Sequence, residues 1–424
     1  MMSTPYPLEE ELGMRYYASE TRGIGGRLRT KPEDFVVDEI PLPFREVDDG
    51  PYLICRLTKT NWELQRVVKE IAKRLGISHR RIAWAGTKDK NAVTTQLISI
   101  YGLAPGAIEQ VNLGDISLEV IGRSQHPLTL GGLLGNRFDI LIRDCTPECL
   151  PERVHEVTGV ASTGVPNYYG LQRFGVIRPV THIVGESILR GDYEAAVVTY
   201  IGRAYRLETE EAQKARARFA ETRDARAALA ELPVQMTYER AMANHLVTDP
   251  DDYAGALRAL PPKLLSLLVS AFQSHLFNRA LSRRIDEGMP LTEPVIGDRL
   301  LFQDGREDVV TARNMKAALL HIRRGRCQIA MFIPGSGAVV PHGRMDAIMQ
   351  ELMQATGIDA RDFERASRFV EMKFDGTLRP IALSADVQTE VVDNDVRLRF
   401  TLPPGHYATT VCREYMKADP YAMI

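Results

Sequence analysis

A compact polar turn between two short apolar runs is the most constraining feature of this chain. The runs Arg81–Trp84 and Leu97–Ile100 flank the turn, and short apolar runs bounded by turn residues are typical of buried strands. Gly86 lets a backbone or a ligand approach closely. Asp89 stands between two lysines, and neighbouring cations favour an ionised carboxylate, which can act as a nucleophile. A solvated turn with three charges is the alternative interpretation of this short segment.

The composition is that of a globular protein with more than one domain. The 424 residues exceed one typical domain, and 44% apolar residues suffice for real cores. The 53 lysines and arginines nearly balance the 55 aspartates and glutamates. Overall charge therefore gives no sign of polyanion binding, and any phosphate contact must come from local basic patches.

Cysteine usage and hydropathy predict a reducing, aqueous setting. The 5 scattered cysteines are odd in number and favour reduced thiols over a disulfide framework. Cys145 and Cys149 resemble half of a metal site, but no second pair with ligand spacing follows, so we expect no zinc. The sequence shows no signal peptide and no apolar run of membrane length. We expect a cytoplasmic protein.

Hydrophobic spacing predicts strands and a helix in the N-terminal part of the chain. Apolar residues recur at helical spacing over residues 64–75, after a candidate capping box at residues 60–63. Gly76 is a natural end for this helix. Residues 138–142 alternate apolar side chains on one face, which is typical of a half-buried strand.

The middle of the chain is predicted to be helical, and strand character returns near its end. Residues 204–232 are rich in Ala, Glu and Arg, which indicates a solvated helical face. A thick apolar stripe predicts a long helix over residues 264–285, ended by Gly288. Residues 396–402 alternate as a strand. The predicted fold class is mixed α/β, with a helix-rich middle between strand-rich ends.

Six ordered sequence blocks span nearly the whole chain. They are Pro-Glu-Asp-Phe-x-Val at 32–37, Ala-Gly-Thr-Lys-Asp-Lys-x-Ala-x-Thr-Thr-Gln at 85–96, Gly-Asn-Arg-Phe at 135–138, Pro-Asn-Tyr-Tyr-Gly-x-Gln-Arg-Phe-Gly at 166–175, Gln-Ser-His-Leu-Phe-Asn at 273–278, and Pro-Gly-His-Tyr-Ala-Thr-Thr-Val-Cys-Arg-Glu at 404–414. Together these blocks resemble the motifs of the TruD family of tRNA pseudouridine synthases. One short block would be a weak signal, whereas the ordered set is specific.

The resemblance implies a split architecture. It predicts a pseudouridine synthase catalytic domain with a large antiparallel sheet, interrupted by an inserted helix-rich TruD domain. The implied boundaries are residues 1–164 for the first part of the catalytic domain, 165–382 for the insertion, and 383–424 for the last part. The helical middle and the length resemble archaeal and eukaryotic members.

The resemblance also implies an activity, the isomerisation of uridine to pseudouridine in tRNA, at position 13 of the D stem. It implies Asp89 as the nucleophile, and attack at C6, attack at C1′ and assistance at C2′ remain open. We expect no cofactor, because the reaction needs neither redox chemistry nor nucleotide energy and the chain has no P-loop. A non-catalytic RNA-binding module and a glycosidic-bond hydrolase are the alternatives. The oligomeric state stays open.

Four residues stand where the family's uridine-pocket residues lie: Phe35, Asn136, Phe138 and Tyr407. Phe35 and Phe138 fit a hydrophobic core almost equally well, and Asn136 fits either a turn or a pairing with the uracil edge. Tyr407 fits base stacking or a buried, hydrogen-bonded tyrosine.

The basic residues beside these blocks are the predicted contacts to tRNA. The set comprises Lys31, Lys88, Lys90, Arg173 and Arg413. For Arg173 and Arg413, binding of carboxylates within the protein is an equal alternative.

Overall fold

The computed structural model describes residues 1–337 and 340–424. Their contacts divide into two units. The sheet unit contains Ala18–Val165 and Leu383–Ile424, and the helical unit contains Met1–Tyr17 and Pro166–Ala382.

The strands and α-helices are named in chain order. The strands are β1 (Met2–Ser3), β2 (Tyr16–Tyr17), β3 (Gly25–Arg27), β4 (Phe35–Pro41), β5 (Tyr52–Thr60), β6 (Ile82–Trp84), β7 (Val93–Tyr101), β8 (Ile116–Ser124), β9 (Leu133–Cys145), β10 (Val165–Pro166), β11 (Arg299–Phe302), β12 (Glu307–Val309), β13 (Cys327–Ile333), β14 (Thr377–Pro380), β15 (Ala382–Leu383), β16 (Gln388–Val392) and β17 (Asp395–Leu402). The helices are α1 (Pro7–Glu11), α2 (Leu64–Arg74), α3 (Leu150–Thr163), α4 (Thr181–Arg190), α5 (Tyr193–Gly202), α6 (Glu210–Thr222), α7 (Ala225–Glu231), α8 (Thr237–Thr248), α9 (Tyr253–Arg258), α10 (Pro262–Asp286), α11 (Met315–Arg323), α12 (Arg344–Thr356), α13 (Ala360–Val370) and α14 (Ala408–Met416).

A large mixed sheet forms the centre of the sheet unit. Its strands lie in the order β16-β17-β9-β4-β7-β5-β8, with β3 beside β9 and β6 beside β7. Neighbouring strands run antiparallel, except that β4 and β7 run parallel. The predicted mixed α/β class and large sheet are confirmed. β4 and β7 form a parallel pair within this otherwise antiparallel sheet, because the chain enters β7 through β6 rather than through a hairpin from β4.

Two apolar clusters cover one face of this sheet. One cluster joins the apolar side of α2 to alternate residues of β5 and β7, including Leu57 and Ile98. The other joins α3 and α14 to alternate residues of β9 and β17, including Ile140 and Leu398. Side chains return to the same side every 3.6 residues in a helix and every 2 residues in a strand. The apolar side of each helix can therefore pack against the apolar face of the sheet.

The predicted helix over residues 64–75 is confirmed as α2, but its predicted cap is wrong. The Glu63 carboxylate accepts the backbone N–H groups of Gln65 and Arg66, at 2.9 and 2.8 Å. Glu63 is therefore the N-cap itself, and Thr60 is the last residue of β5.

The helical unit packs around α10, which confirms the long helix predicted over residues 264–285. The first 17 residues belong to this unit and not to the predicted catalytic segment 1–164. Side chains of α10 hold them there: Asn278 donates to the Leu12 carbonyl at 3.0 Å, and Ser282 donates to the Gly13 carbonyl at 2.6 Å. Hydrogen bonds between residues more than 260 positions apart leave no local trace in the sequence.

The segment 204–232 is helical as predicted, but it is not solvated throughout. Arg216 of α6 is 1% exposed, and its guanidinium binds Glu208 at 2.7 Å and Glu239 at 2.8 Å. Two carboxylates compensate this buried charge, which a solvated helical face does not require.

Two histidines lie in ring contact inside the helical unit. The ring centroids of His182 on α4 and His275 on α10 are 4.6 Å apart. Burial lowers the pKa of His182 to about 3 and that of His275 to about 4. Both rings are therefore neutral in the folded protein at neutral pH.

We predict that acid destabilises the native protein more than the variant His182→Gln. In the unfolded chain His182 binds a proton below pH ~6.5, whereas in the folded chain it stays neutral down to about pH 3. The contribution of His182 to the free energy of unfolding is therefore complete above pH ~6.5, and it is lost as the pH falls below that value. Between pH 7 and pH 5 the free energy of unfolding should fall by about 2 kcal/mol more in the native protein. Urea unfolding at both pH values measures this difference, and equal falls in the two proteins would contradict it.

Candidate active site

Polar side chains from three strands meet on the sheet face that the apolar clusters cover. Strand register places Leu57 opposite Gln96, and Asn136 opposite both Glu39 and Leu402. Alternation along each strand directs these side chains to one face. We call Gln96, Glu39 and Asn136 the polar row. It lies between Leu57 and Leu402, each of which belongs to one of the two apolar clusters.

Asp89 lies in the turn between β6 and β7, where its carboxylate meets a buried arginine. Its Oδ1 accepts a hydrogen bond from Arg29 Nη2 at 3.1 Å. The Asp89 side chain is 35% exposed, whereas the Arg29 side chain is only 4% exposed. Solvent or a ligand can therefore reach the carboxylate from one side, while a cation holds it from the other.

Arg29 is fixed from several directions. Its guanidinium lies 4.0 Å from the centroid of the Phe35 ring, and its Nη1 donates to the Met423 carbonyl at 3.0 Å. Its backbone has φ of +54°, a left-handed conformation that non-glycine residues rarely adopt. Such strain persists only where the surroundings over-determine it. The pairing of Arg29 with Asp89 has no signal in the sequence, because the two residues are separated by 60 positions.

A second cation, Lys59, lies beneath the same turn. Lys59 is fully buried on β5, and its ammonium donates to the backbone carbonyl of Asp89 at 2.7 Å. Burial lowers the pKa of this ammonium to about 8, against the opposing effects of Asp89 and Glu63. Lys59 was not among the predicted site residues. A signal was present, since Lys59 continues the buried side of β5 on which Leu53, Cys55 and Leu57 lie.

Lys88 occupies a different place from the one predicted. Its Nζ lies 2.8 Å from Glu39 Oε2, and the two side chains are 5% and 1% exposed. A Cβ added at Gly86 would lie only 2.9 Å from this Nζ, so glycine leaves the room for the pair. The structure therefore places Lys88 in a buried ion pair within the protein, and not at the predicted contact with RNA phosphate. The alternating Lys-Asp-Lys sequence does not reveal which lysine points inward.

Further hydrogen bonds attach the turn to the polar row. Gln96 Nε2 donates to the Gly86 carbonyl at 3.0 Å, and Glu39 Oε1 accepts the Leu97 N–H at 3.3 Å. The turn is therefore joined to β4 through Lys88 and to β7 through Gln96.

The predicted pocket aromatics Phe35 and Phe138 pack in the core. They are 1% and 5% exposed, and Phe138 stacks on Phe400 with ring centroids 5.4 Å apart. The centroids of Phe35 and Phe138 are 6.4 Å apart in an edge-to-face contact. Both rings therefore pack as core residues in this structure, and the Arg29 guanidinium lies over the Phe35 ring.

Asn136 and Tyr407 are both partly exposed. Asn136 Oδ1 is buried, and none of the residues described donates a hydrogen bond to it. Such a free acceptor is unusual in a protein interior. Tyr407 is the N-cap residue of α14, in extended backbone conformation, five positions after the end of β17. The structure thus links Asn136 to Glu39 by strand register.

The remaining predicted basic residues differ in accessibility. Lys31 and Lys90 are exposed. Arg413 is 5% exposed within α14, so it occupies a buried position and not the exposed one that the predicted RNA contact requires. Arg173 belongs to the helical unit, where its Nε donates to Ser274 Oγ at 3.0 Å and attaches the 166–175 block to α10. Lys31 and Lys90 are the members of the predicted set that the sheet unit presents to solvent.

Two kinds of feature are absent from residues 1–337 and 340–424. They contain no group of three or more His, Cys, Asp or Glu side chains arranged to hold a metal ion. They also contain no helix whose length and apolar character would let it cross a membrane.

Comparison with known proteins gives the same relatives throughout. The family profile "tRNA pseudouridine synthase D (TruD)" matches residues 11–415. A protein of Methanococcoides burtonii named "Probable tRNA pseudouridine synthase D" is 39% identical over 98% of each chain. Its namesake in Halobacterium salinarum is 37% identical over 100% of each chain.

A solved structure agrees with these sequence relatives. The crystal structure assigned to tRNA pseudouridine synthase D (TruD) from Methanosarcina mazei superposes with a TM-score of 0.83 at 37% identity. The match covers 99% of this chain and 100% of the other. The chain therefore belongs to the TruD family of tRNA pseudouridine synthases.

Proposed function

We propose that this protein isomerises uridine to pseudouridine at position 13 of the tRNA D stem, with Asp89 as the nucleophile. The observation that carries the proposal is a solvent-accessible carboxylate held by the buried guanidinium of Arg29. The sheet unit is the catalytic domain in this proposal. Residues 383–424 complete it after the helical insertion.

The reaction breaks the C1′–N1 glycosidic bond and joins the same ring to C1′ through C5. It needs an ionised nucleophile in a fixed position, and two features provide it. Arg29 favours the charged form of Asp89 and limits its rotation. The buried attachments of the turn hold its backbone, so little reorganisation is required when the substrate arrives.

The substrate uridine must leave its stack to reach Asp89, which costs a few kcal/mol of unstacking. The free Asn136 Oδ1 acceptor is suited to the N3–H of uracil. Tyr407, partly exposed at the start of α14, provides a stacking surface for the extruded base. Phe35 and Phe138 form the apolar wall behind it.

We predict that Asp89→Asn lowers the single-turnover rate of pseudouridine formation at least about 10³-fold. The amide keeps an acceptor for Arg29 but is not a nucleophile, so folding and RNA affinity should change little. Quantifying pseudouridine in an unmodified tRNA transcript measures the rate, and a transcript with cytidine at position 13 is the matched substrate control. Substantial activity in the variant would exclude Asp89 as the nucleophile. Free uracil as the product of the native protein would identify a hydrolase.

A second prediction concerns the exposed lysines. Neutralising Lys31 or Lys90 to Gln should weaken tRNA binding and reduce the slope of log affinity against log salt by about one. Lys214→Gln is the matched control, because Lys214 on α6 is an exposed lysine of the helical unit. Binding titrations at several salt concentrations measure these slopes. A larger effect at Lys214 would show that the helical unit provides the main docking surface.

Lys88 should behave in the opposite way. Lys88→Met leaves Glu39 buried without its partner, which costs about 3–5 kcal/mol of folding free energy. The salt slope of the folded variant should stay unchanged, since Lys88 does not face solvent. Urea unfolding measures the loss, and the double variant with Glu39→Met should recover part of it.

A further inference from the structure

The position of Lys59 is not explained by packing. The residues that precede it on the same side of β5, including Cys55 and Leu57, belong to the apolar cluster under α2. An apolar side chain would continue that cluster without the cost of burying a charge, which amounts to several kcal/mol per ion. Lys59 has no ion-pair partner within 4 Å among the residues that the structure describes, and its hydrogen bond goes to the Asp89 carbonyl.

The hydrogen bond from Lys59 restrains the backbone of the turn at Asp89. The Asp89 peptide is held from inside the protein at its carbonyl, while the Asp89 carboxylate is held by Arg29 Nη2 at 3.1 Å. One contact fixes the backbone and the other fixes the side chain. With both ends restrained, the exposed carboxylate oxygen has a defined direction of approach to a substrate.

We propose that Lys59 is a positioning residue for the reaction, which fixes the main chain of Asp89 so that its carboxylate reaches the uridine in productive geometry. The inference rests on the proposed function of Asp89. Lys59 itself does not touch the substrate, because it is fully buried. A displacement of about 1 Å at a reacting group can lower a rate about 10²-fold, which sets the size of the expected effect.

The test compares Lys59→Met with a second buried lysine of the sheet unit. Lys417 is 7% exposed, and its ammonium donates to the carbonyls of Ser19 at 2.9 Å and Thr21 at 2.7 Å. It lies at the end of α14 and takes no part in the proposed site. Lys417→Met therefore removes a second buried lysine, whose ammonium also lies 3.6 Å from the Glu414 carboxylate.

The two variants should show opposite behaviour. Lys59→Met should lower the single-turnover rate at saturating tRNA about 10²-fold, with unchanged tRNA affinity and an unchanged or higher unfolding temperature. Lys417→Met should lower the unfolding temperature by a few degrees and leave the rate within about twofold of the native value.

Each outcome either supports or overturns the positioning role of Lys59. A folded Lys59→Met protein with the native rate would overturn the proposal, as would a loss confined to tRNA affinity. If Lys59→Met does not fold, the polar variant Lys59→Gln replaces it under the same criteria. Failure of both to fold would make Lys59 a residue needed for folding and would also overturn the proposal. Absence of pseudouridine with the native protein would instead refute the proposed function.

Discussion

The site depends on the burial of three cationic side chains around one turn. Arg29, Lys59 and Lys88 lie on different parts of the chain, and each has its charge removed from water. Such burial is tolerable only where partners compensate it. The partners are the carboxylates of Asp89 and Glu39 together with main-chain carbonyls. Because movement of the turn would leave at least one of these charges without its partner, electrostatics makes the segment rigid without regular secondary structure.

The arrangement of the sheet explains why these residues can meet. The parallel pairing of β4 with β7 places Val37 beside Thr94, and the antiparallel pairing of β4 with β9 places Val37 beside Phe138. Three distant segments thus share one face at the centre of the sheet. The helices cover this face in two separate clusters. The polar row lies between them, where the turn that carries Asp89 supplies partners for Glu39 and Gln96 that an apolar helix could not supply.

Sequence patterns predicted the local elements, but not the partners that surround Asp89. Periodicity found α2, α10 and the strand at residues 138–142, because apolar spacing follows directly from burial on one face. The site needed tertiary information. Whether Lys88 or Lys90 points inward depends on the room that Gly86 leaves, and Arg29 meets Asp89 only after folding. The grouping of the N-terminal 17 residues with the helical unit depends on tertiary contacts in the same way, since hydrogen bonds from α10 hold them.

The near-neutral composition is compatible with a polyanionic substrate because burial sorts the charges. Several arginines and lysines are paired with carboxylates inside the protein: Arg216 with Glu208 and Glu239, Arg284 with Asp298, and Lys88 with Glu39. These buried groups add to both sides of the charge count, but they give no information about the surface. The potential that an approaching RNA meets is set by exposed residues such as Lys31 and Lys90, which lie close in sequence to Arg29 and Asp89. Local accessibility, rather than net charge, therefore determines where the tRNA backbone can be held.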